Sequence, residues 1–123
     1  MDQAKTILIV EDSDLLLELL AKGFARFGWQ VFTAGNGLDG WDLFNREPVD
    51  IVLTDIRMPR LNGIELARKI RNLSQKTKIA LMSGADDKIA NDLIEKGTVD
   101  WFFKKPFPLS QICKLLTAEN LPN

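Results

Sequence analysis

The stretch DIVLTDIRMPRLNGIEL, Asp50–Leu66, decides the fold. It opens inside Val49–Thr54, a Val/Ile-rich apolar run too short for a helix, which predicts a buried strand. Asp55 follows at once. Met58-Pro59-Arg60-Leu61-Asn62-Gly63 then carries Pro and Asn-Gly loop signals, and Ile64–Leu73 is helical. Strand, loop and helix in that order make one βα unit.

The unit recurs on both sides. Toward the N-terminus, Lys5–Val10 is a second short apolar run. A helix over Asp14–Phe27 follows it, with Asp12 or Ser13 as its cap and Leu16, Leu20, Phe24 and Phe27 at helical spacing. Gln30–Ala34 reads as a strand, and Gly35-Asn36-Gly37 turns the chain into a helix ending near Arg46, with Leu38, Trp41 and Phe44 on one face. Toward the C-terminus come strand Lys78–Met82, helix Asp87–Lys96 closed by Gly97, strand Trp101–Phe103, and a helix from Pro108 to Leu116, since Pro is tolerated in a first helical turn. Five βα units with apolar strands predict an α/β domain with a parallel sheet covered on both faces. Right-handed crossovers leave few topologies. The expected one is a doubly wound, flavodoxin-like (βα)5 sheet of order 2-1-3-4-5, with residues 1–123 as a single domain.

Composition narrows the functions. The chain has 123 residues, 46% hydrophobic and 27% charged, with a net charge of −1. No basic stripe supports direct nucleic-acid binding. No apolar run approaches a membrane span, and the polar start followed by Ile7-Leu8-Ile9-Val10 does not resemble a signal peptide. Cys113 is the sole cysteine and there is no histidine. An internal disulfide, a zinc site of Cys and His ligands, and Ser-His or Cys-His catalysis are thereby excluded. Cys113, between Ile112 and Leu116, is expected to be inert core. A cytoplasmic setting is expected.

The polar residues that remain gather at strand ends. The first strand ends in Glu11-Asp12, the third in Asp55 and the fourth in Ser83; the fifth leads to Lys104-Lys105-Pro106. Ligands of open α/β sheets bind outside the carboxyl ends of the strands, where strand order reverses. Here that point lies between strands one and three and unites Glu11, Asp12 and Asp55. Three carboxylates so placed repel, so one is protonated or a cation lies between them. Mg²⁺ suits oxygen ligands and shares phosphate oxygens with a substrate. A carboxylate can then act as nucleophile toward phosphorus, with Lys105 and the Ser83 hydroxyl contacting the transferred group. Taken singly, each residue has a plainer reading: a solvated helix start for Glu11-Asp12, a turn or cap for Asp55, a surface charge for Lys105. Their joint placement carries the argument.

These segments resemble the response-regulator receiver family of two-component signalling. The matching segments are ILIVEDS (Ile7–Ser13), the opening stretch Asp50–Leu66, IALMSG (Ile79–Gly84) and KKPF (Lys104–Phe107). The resemblance implies that Asp55 accepts a phosphoryl group from a sensor histidine kinase or a phosphotransfer protein. It implies a Mg²⁺ held by Glu11, Asp12, Asp55 and the backbone carbonyl of Arg57, with Ser83 and Lys105 on the phosphoryl oxygens. It further implies a cis peptide between Lys105 and Pro106, and an output surface formed by the fourth helix, fifth strand and fifth helix. Such a protein catalyses only its own phosphorylation and dephosphorylation. Its output passes to a downstream protein or to an output domain beyond this chain. Asn62 stands where the family usually has Asp, and both suit a turn before Gly63. Gly97 to Lys105 is one residue longer than usual. Counting back from Lys105 makes Phe102 the switch aromatic that moves with Ser83, whereas counting forward from Gly97 makes it Trp101; Phe102 is the expected one, because the lysine is the chemically fixed anchor.

Three other functions fit less well. A flavin module needs a hydroxyl- and glycine-rich phosphate loop after strand one, where Glu11-Asp12-Ser13 presents acid. An aspartate-nucleophile phosphatase usually has a second Asp at the position of Arg57. A degenerate receiver used only for docking usually lacks an acid or the lysine, and none is missing here.

Overall fold

The computed structural model describes residues 5–85 and 88–119. Its elements alternate throughout: β1 Thr6–Val10, α1 Asp14–Arg26, β2 Gln30–Ala34, α2 Gly37–Arg46, β3 Ile51–Asp55, α3 Gly63–Leu73, β4 Lys78–Ser83, α4 Lys88–Glu95, β5 Trp101–Lys104 and α5 Leu109–Glu119. The strands form one parallel sheet in the order β2-β1-β3-β4-β5. This is the expected flavodoxin-like order. The expected helix start at Asp87 and the tail Leu121-Pro122-Asn123 lie outside the described residues.

Two apolar layers flank the sheet because successive strand side chains point to opposite faces. Leu8, Val10, Val52, Ile79 and Leu81 face α2, α3 and α4, meeting Phe44, Leu66, Ile70 and Leu93. Ile7, Ile9, Ile51, Leu53, Ala80 and Met82 face α1 and α5, meeting Leu20, Phe24, Ile112 and Leu116. Fully burying one such aliphatic side chain contributes roughly 1.5–3 kcal/mol. Cys113 belongs to the second layer, and burial pushes its thiol up to about 11, so it is protonated and inert at neutral pH.

Local signals set the helix starts. Ser13 caps α1, its Oγ accepting from the Leu16 N–H at 3.4 Å. Asn36 caps α2 by accepting from the Asp39 N–H at 2.9 Å. Asn62 and Glu65 form a reciprocal capping box on α3. Two periodicity readings need correction. Phe27 is the exposed C-cap of α1, and Leu38 is exposed on α2. A strict three-residue step drifts around a helix of 3.6 residues per turn, so the buried side of α2 is Gly37, Gly40 and Phe44 instead.

Candidate functional site

The carboxyl ends of β1 and β3 lie side by side, with Val10 opposite Thr54. Glu11 and Asp12 follow β1 directly, and Asp55 is the last residue of β3. Carboxylate oxygens of Glu11, Asp12 and Asp55 all lie within 4.8 Å of one another. Glu11 and Asp55 are buried, whereas Asp12 is exposed. The backbone leaving β3 is held tightly. The Ile56 N–H donates to the Met82 carbonyl at 2.9 Å, and the Gly63 N–H donates to the Ile56 carbonyl at 2.8 Å. A Cβ at Gly63 would lie 2.0 Å from the Asp55 carbonyl oxygen, so only glycine lets α3 begin directly beneath the acid.

Lys105 reaches the cluster from the far side. Its N–H donates to the Ser83 carbonyl at 2.7 Å, and the Lys105–Pro106 peptide is cis. Its Nζ lies 2.7 Å from Glu11 Oε1 and 3.3 Å from Asp55 Oδ2. The Ser13 N–H donates to the other Glu11 oxygen at 2.9 Å. The bond between Lys105 and Glu11, 94 positions apart, was not expected from sequence. Ser83, fully buried at the end of β4, accepts from the Ala85 N–H at 3.1 Å.

Counting the three carboxylates and the Lys105 ammonium among the described residues, the cluster carries two net negative charges when all are ionised. Unit charges 4.8 Å apart repel by roughly 3–4 kcal/mol at an effective dielectric of 20. Burial raises the pKa of Glu11 above 4.5, outweighing its bonds from Lys105 and the Ser13 N–H. Burial likewise raises Asp55 above 3.8, with Lys105 opposing and the Asp12 charge adding. For Lys105, burial acts downward, but the hydrogen bond to Glu11 and the charges of Asp55 and Glu11 together win and raise it above 10.5. The donor set is oxygen only, and its excess charge is that of one divalent cation. Both features fit a hard ion such as Mg²⁺.

The register separates the two aromatics. Phe102 lies opposite Leu81 and packs into the layer under α2, α3 and α4, whereas Trp101 lies opposite Ala80 and packs toward α1 and α5. Ser83 is two residues beyond Leu81, so it shares its sheet face with Phe102 and not with Trp101.

The chain belongs to the response regulator receiver domain family, which matches residues 7–117. It is therefore a receiver domain of two-component signalling. Among relatives, it is 31% identical to sporulation initiation phosphotransferase F of Bacillus subtilis, covering 86% of each chain. It is 30% identical to the autoinducer 1 sensor kinase/phosphatase LuxN of Vibrio campbellii over 94% of this chain but only 13% of that protein. With the regulatory protein AtoC of Escherichia coli the figures are 34%, 91% and 24%. The chain thus spans a small part of the latter two. Its fold is that of a CheY-like receiver domain protein from Methanospirillum hungatei, with a TM-score of 0.89, 22% identity, and coverage of 95% of this chain and 94% of that one. Among the described residues no helix is long and apolar enough to cross a membrane.

Proposed function

We propose that this receiver domain, taken as the whole of residues 1–123, is an active phosphoacceptor. It takes a phosphoryl group onto Asp55 in the presence of Mg²⁺, in the cytoplasm, from a sensor histidine kinase or a phosphotransfer protein. The observation that carries the reading is the cluster itself: among the described residues, carboxylate oxygens of Glu11, Asp12 and Asp55 lie within 4.8 Å of one another, and the ammonium of Lys105 pairs with Glu11 and Asp55. Buried carboxyls with raised pKa values beside a specific charged partner at strand ends mark a candidate functional site. The relatives named as a sensor kinase and as a phosphotransferase support this choice of partners.

Glu11, Asp12, Asp55 and the Arg57 carbonyl would hold the Mg²⁺, which when bound neutralises charge on the transferred group. An Asp55 carboxylate oxygen forms the new O–P bond as the donor's P–N bond breaks, and the donor imidazole leaves carrying the electron pair. Lys105 stands 3.3 Å from Asp55 and can exchange its present contacts for a phosphoryl oxygen. The Ser83 hydroxyl, now bonded to the Ala85 N–H, turns toward the same oxygens. That movement frees space on its sheet face, into which Phe102 rotates. The readout surface is α4, β5 and α5. It carries exposed Ile89 and Ile94 on α4, and on β5 and α5 a groove of about 580 Å³ lined by Phe102, Phe103, Phe107, Ile112 and the exposed Leu115. A downstream protein, or an output domain beyond this chain, would read it. The phosphoryl group acts by population shift through its differential contacts in the two states.

Intact-mass measurement after incubation with acetyl phosphate tests the proposal. One added phosphoryl group is expected with Mg²⁺ and none after chelation. Unchanged labelling of Asp55→Asn would refute the acceptor role of Asp55; a wild type that takes up no phosphoryl group would leave docking alone as the function.

A further inference from the structure

Between Asp55 and α3 the chain makes a strained turn. Arg60 has φ 74, and the Leu61 N–H donates to the Pro59 carbonyl at 3.0 Å, closing a three-residue γ-turn. Turns of this kind with a positive central φ are rare, and costly for a bulky residue with a Cβ such as arginine. Such strain persists only where surrounding contacts over-determine the conformation. One end of the loop is held by the Gly63 N–H bond to Ile56. The other contact is made by α2. A Cβ at Gly37 would lie 1.9 Å from the Leu61 carbonyl oxygen and 2.7 Å from its carbonyl carbon. The backbones touch there, and no side chain fits between them. One turn later, a Cβ at Gly40 would lie 2.8 Å from Val10, the residue before Glu11. The first turn of α2 is thus seated against both segments that carry the acids.

We infer that the first turn of α2, through the contact of Gly37 with Leu61, is a positioning element for the phosphoryl site. It sets the loop that runs from Arg57 to Leu61, and with it the Arg57 carbonyl. The inference rests on the reading of Asp55 as phosphoacceptor. Coupling of this kind is reciprocal: if α2 orders the loop for Mg²⁺, then Mg²⁺ must stabilise the first turn of α2. Gly37 touches no reacting atom and acts only through the loop.

The test has two arms, with acetyl phosphate labelling of the wild-type chain run beside them. In the wild type, saturating MgCl2 should slow hydrogen exchange at the Gly40 N–H, which donates to the Asn36 carbonyl at 3.0 Å. Unchanged exchange there overturns the inference. In the second arm, Gly37→Ala is compared with Gly37→Ala/Arg60→Gly, in which the flexible residue lets the displaced loop relax. The double variant should regain thermal stability yet bind Mg²⁺ about 10–100-fold more weakly than wild type, the usual loss when support behind a metal ligand is removed. Affinity that returns together with stability means a merely structural glycine and overturns the inference. If Gly37→Ala does not fold, the exchange arm decides alone. A wild-type chain that takes up no phosphoryl group overturns the functional reading itself; a labelled wild type with unchanged exchange overturns only the role of α2.

Discussion

The two ends of the sheet use the same kinds of groups to opposite effect. At the amino ends of the strands, Arg71 of α3 meets Asp100 at 3.0 Å. The guanidinium also donates to the carbonyls of Thr98, Ser74 and Thr77 at 3.1, 3.2 and 2.7 Å. Asp100 in turn accepts the Ile79 N–H at 2.8 Å, extending the pairing of β4 with β5. One cation faces one anion there, and most of the donors are used. At the carboxyl ends, one ammonium faces three acids, and burial raises both buried carboxyls. A satisfied network fixes a structure, whereas an unsatisfied one stores a demand for a ligand.

Arg71→Ala should give the largest loss of stability, about 2–3 kcal/mol, somewhat below the roughly 3–5 of a fully buried broken pair. Urea unfolding measures it. Mg²⁺ affinity of the folded variant should stay at the wild-type value; a fall in affinity would erase the functional contrast between the ends. Asp12→Asn should do the reverse, weakening Mg²⁺ binding at least about tenfold, as loss of ligation support does, with the fold intact. Calorimetric titration showing wild-type affinity would remove Asp12 from the metal site.

Asp55→Asn should stabilise the Mg²⁺-free protein at neutral pH, because it removes a carboxylate that burial and the Asp12 charge both disfavour. Destabilisation would mean that Lys105 already compensates the acid fully. The smallest effect is in pH dependence. Glu11 and Asp55 have folded-state pKa values above their unfolded values of 4.5 and 3.8. The folded state therefore takes up protons first. Their contribution to stability is fully present below the unfolded values and is lost as pH rises through the raised ones. Without Mg²⁺, acidification from neutrality toward pH 4.5 should raise the melting temperature of the wild type more than that of Asp55→Asn. Parallel melting curves for the two proteins would contradict the raised pKa of Asp55.

Much of the carboxyl end is legible in order along the chain. Asp55 ends an apolar strand, Glu11 and Asp12 end another, and Lys105 precedes a proline, so topology alone brings them together. The balanced end is not legible. Arg71 and Asp100 are 29 residues apart and sit among many other charges, with nothing local to mark them as partners. Gly37 likewise reads as an ordinary turn residue, because a close backbone approach leaves no trace in the residue that approaches.

Apolar runs of strand length, alternating with helical periods and punctuated by caps, were enough to determine five βα units and a covered parallel sheet, since each is a local consequence of burial and backbone geometry; they left a few strand orders open, and the pairing of the strands decided among them. The chain also determined which strand ends carry acid and which carries the lysine. Tertiary structure alone decided that Lys105 pairs with Glu11 as well as Asp55, that α2 seats against the loop after Asp55, and that Phe102 shares its face with Ser83 while Trp101 does not. The last is a matter of register. In a strand of period two, a shift of one residue moves every side chain to the opposite face, and the added residue between Gly97 and Lys105 leaves that shift open until β5 pairs with β4.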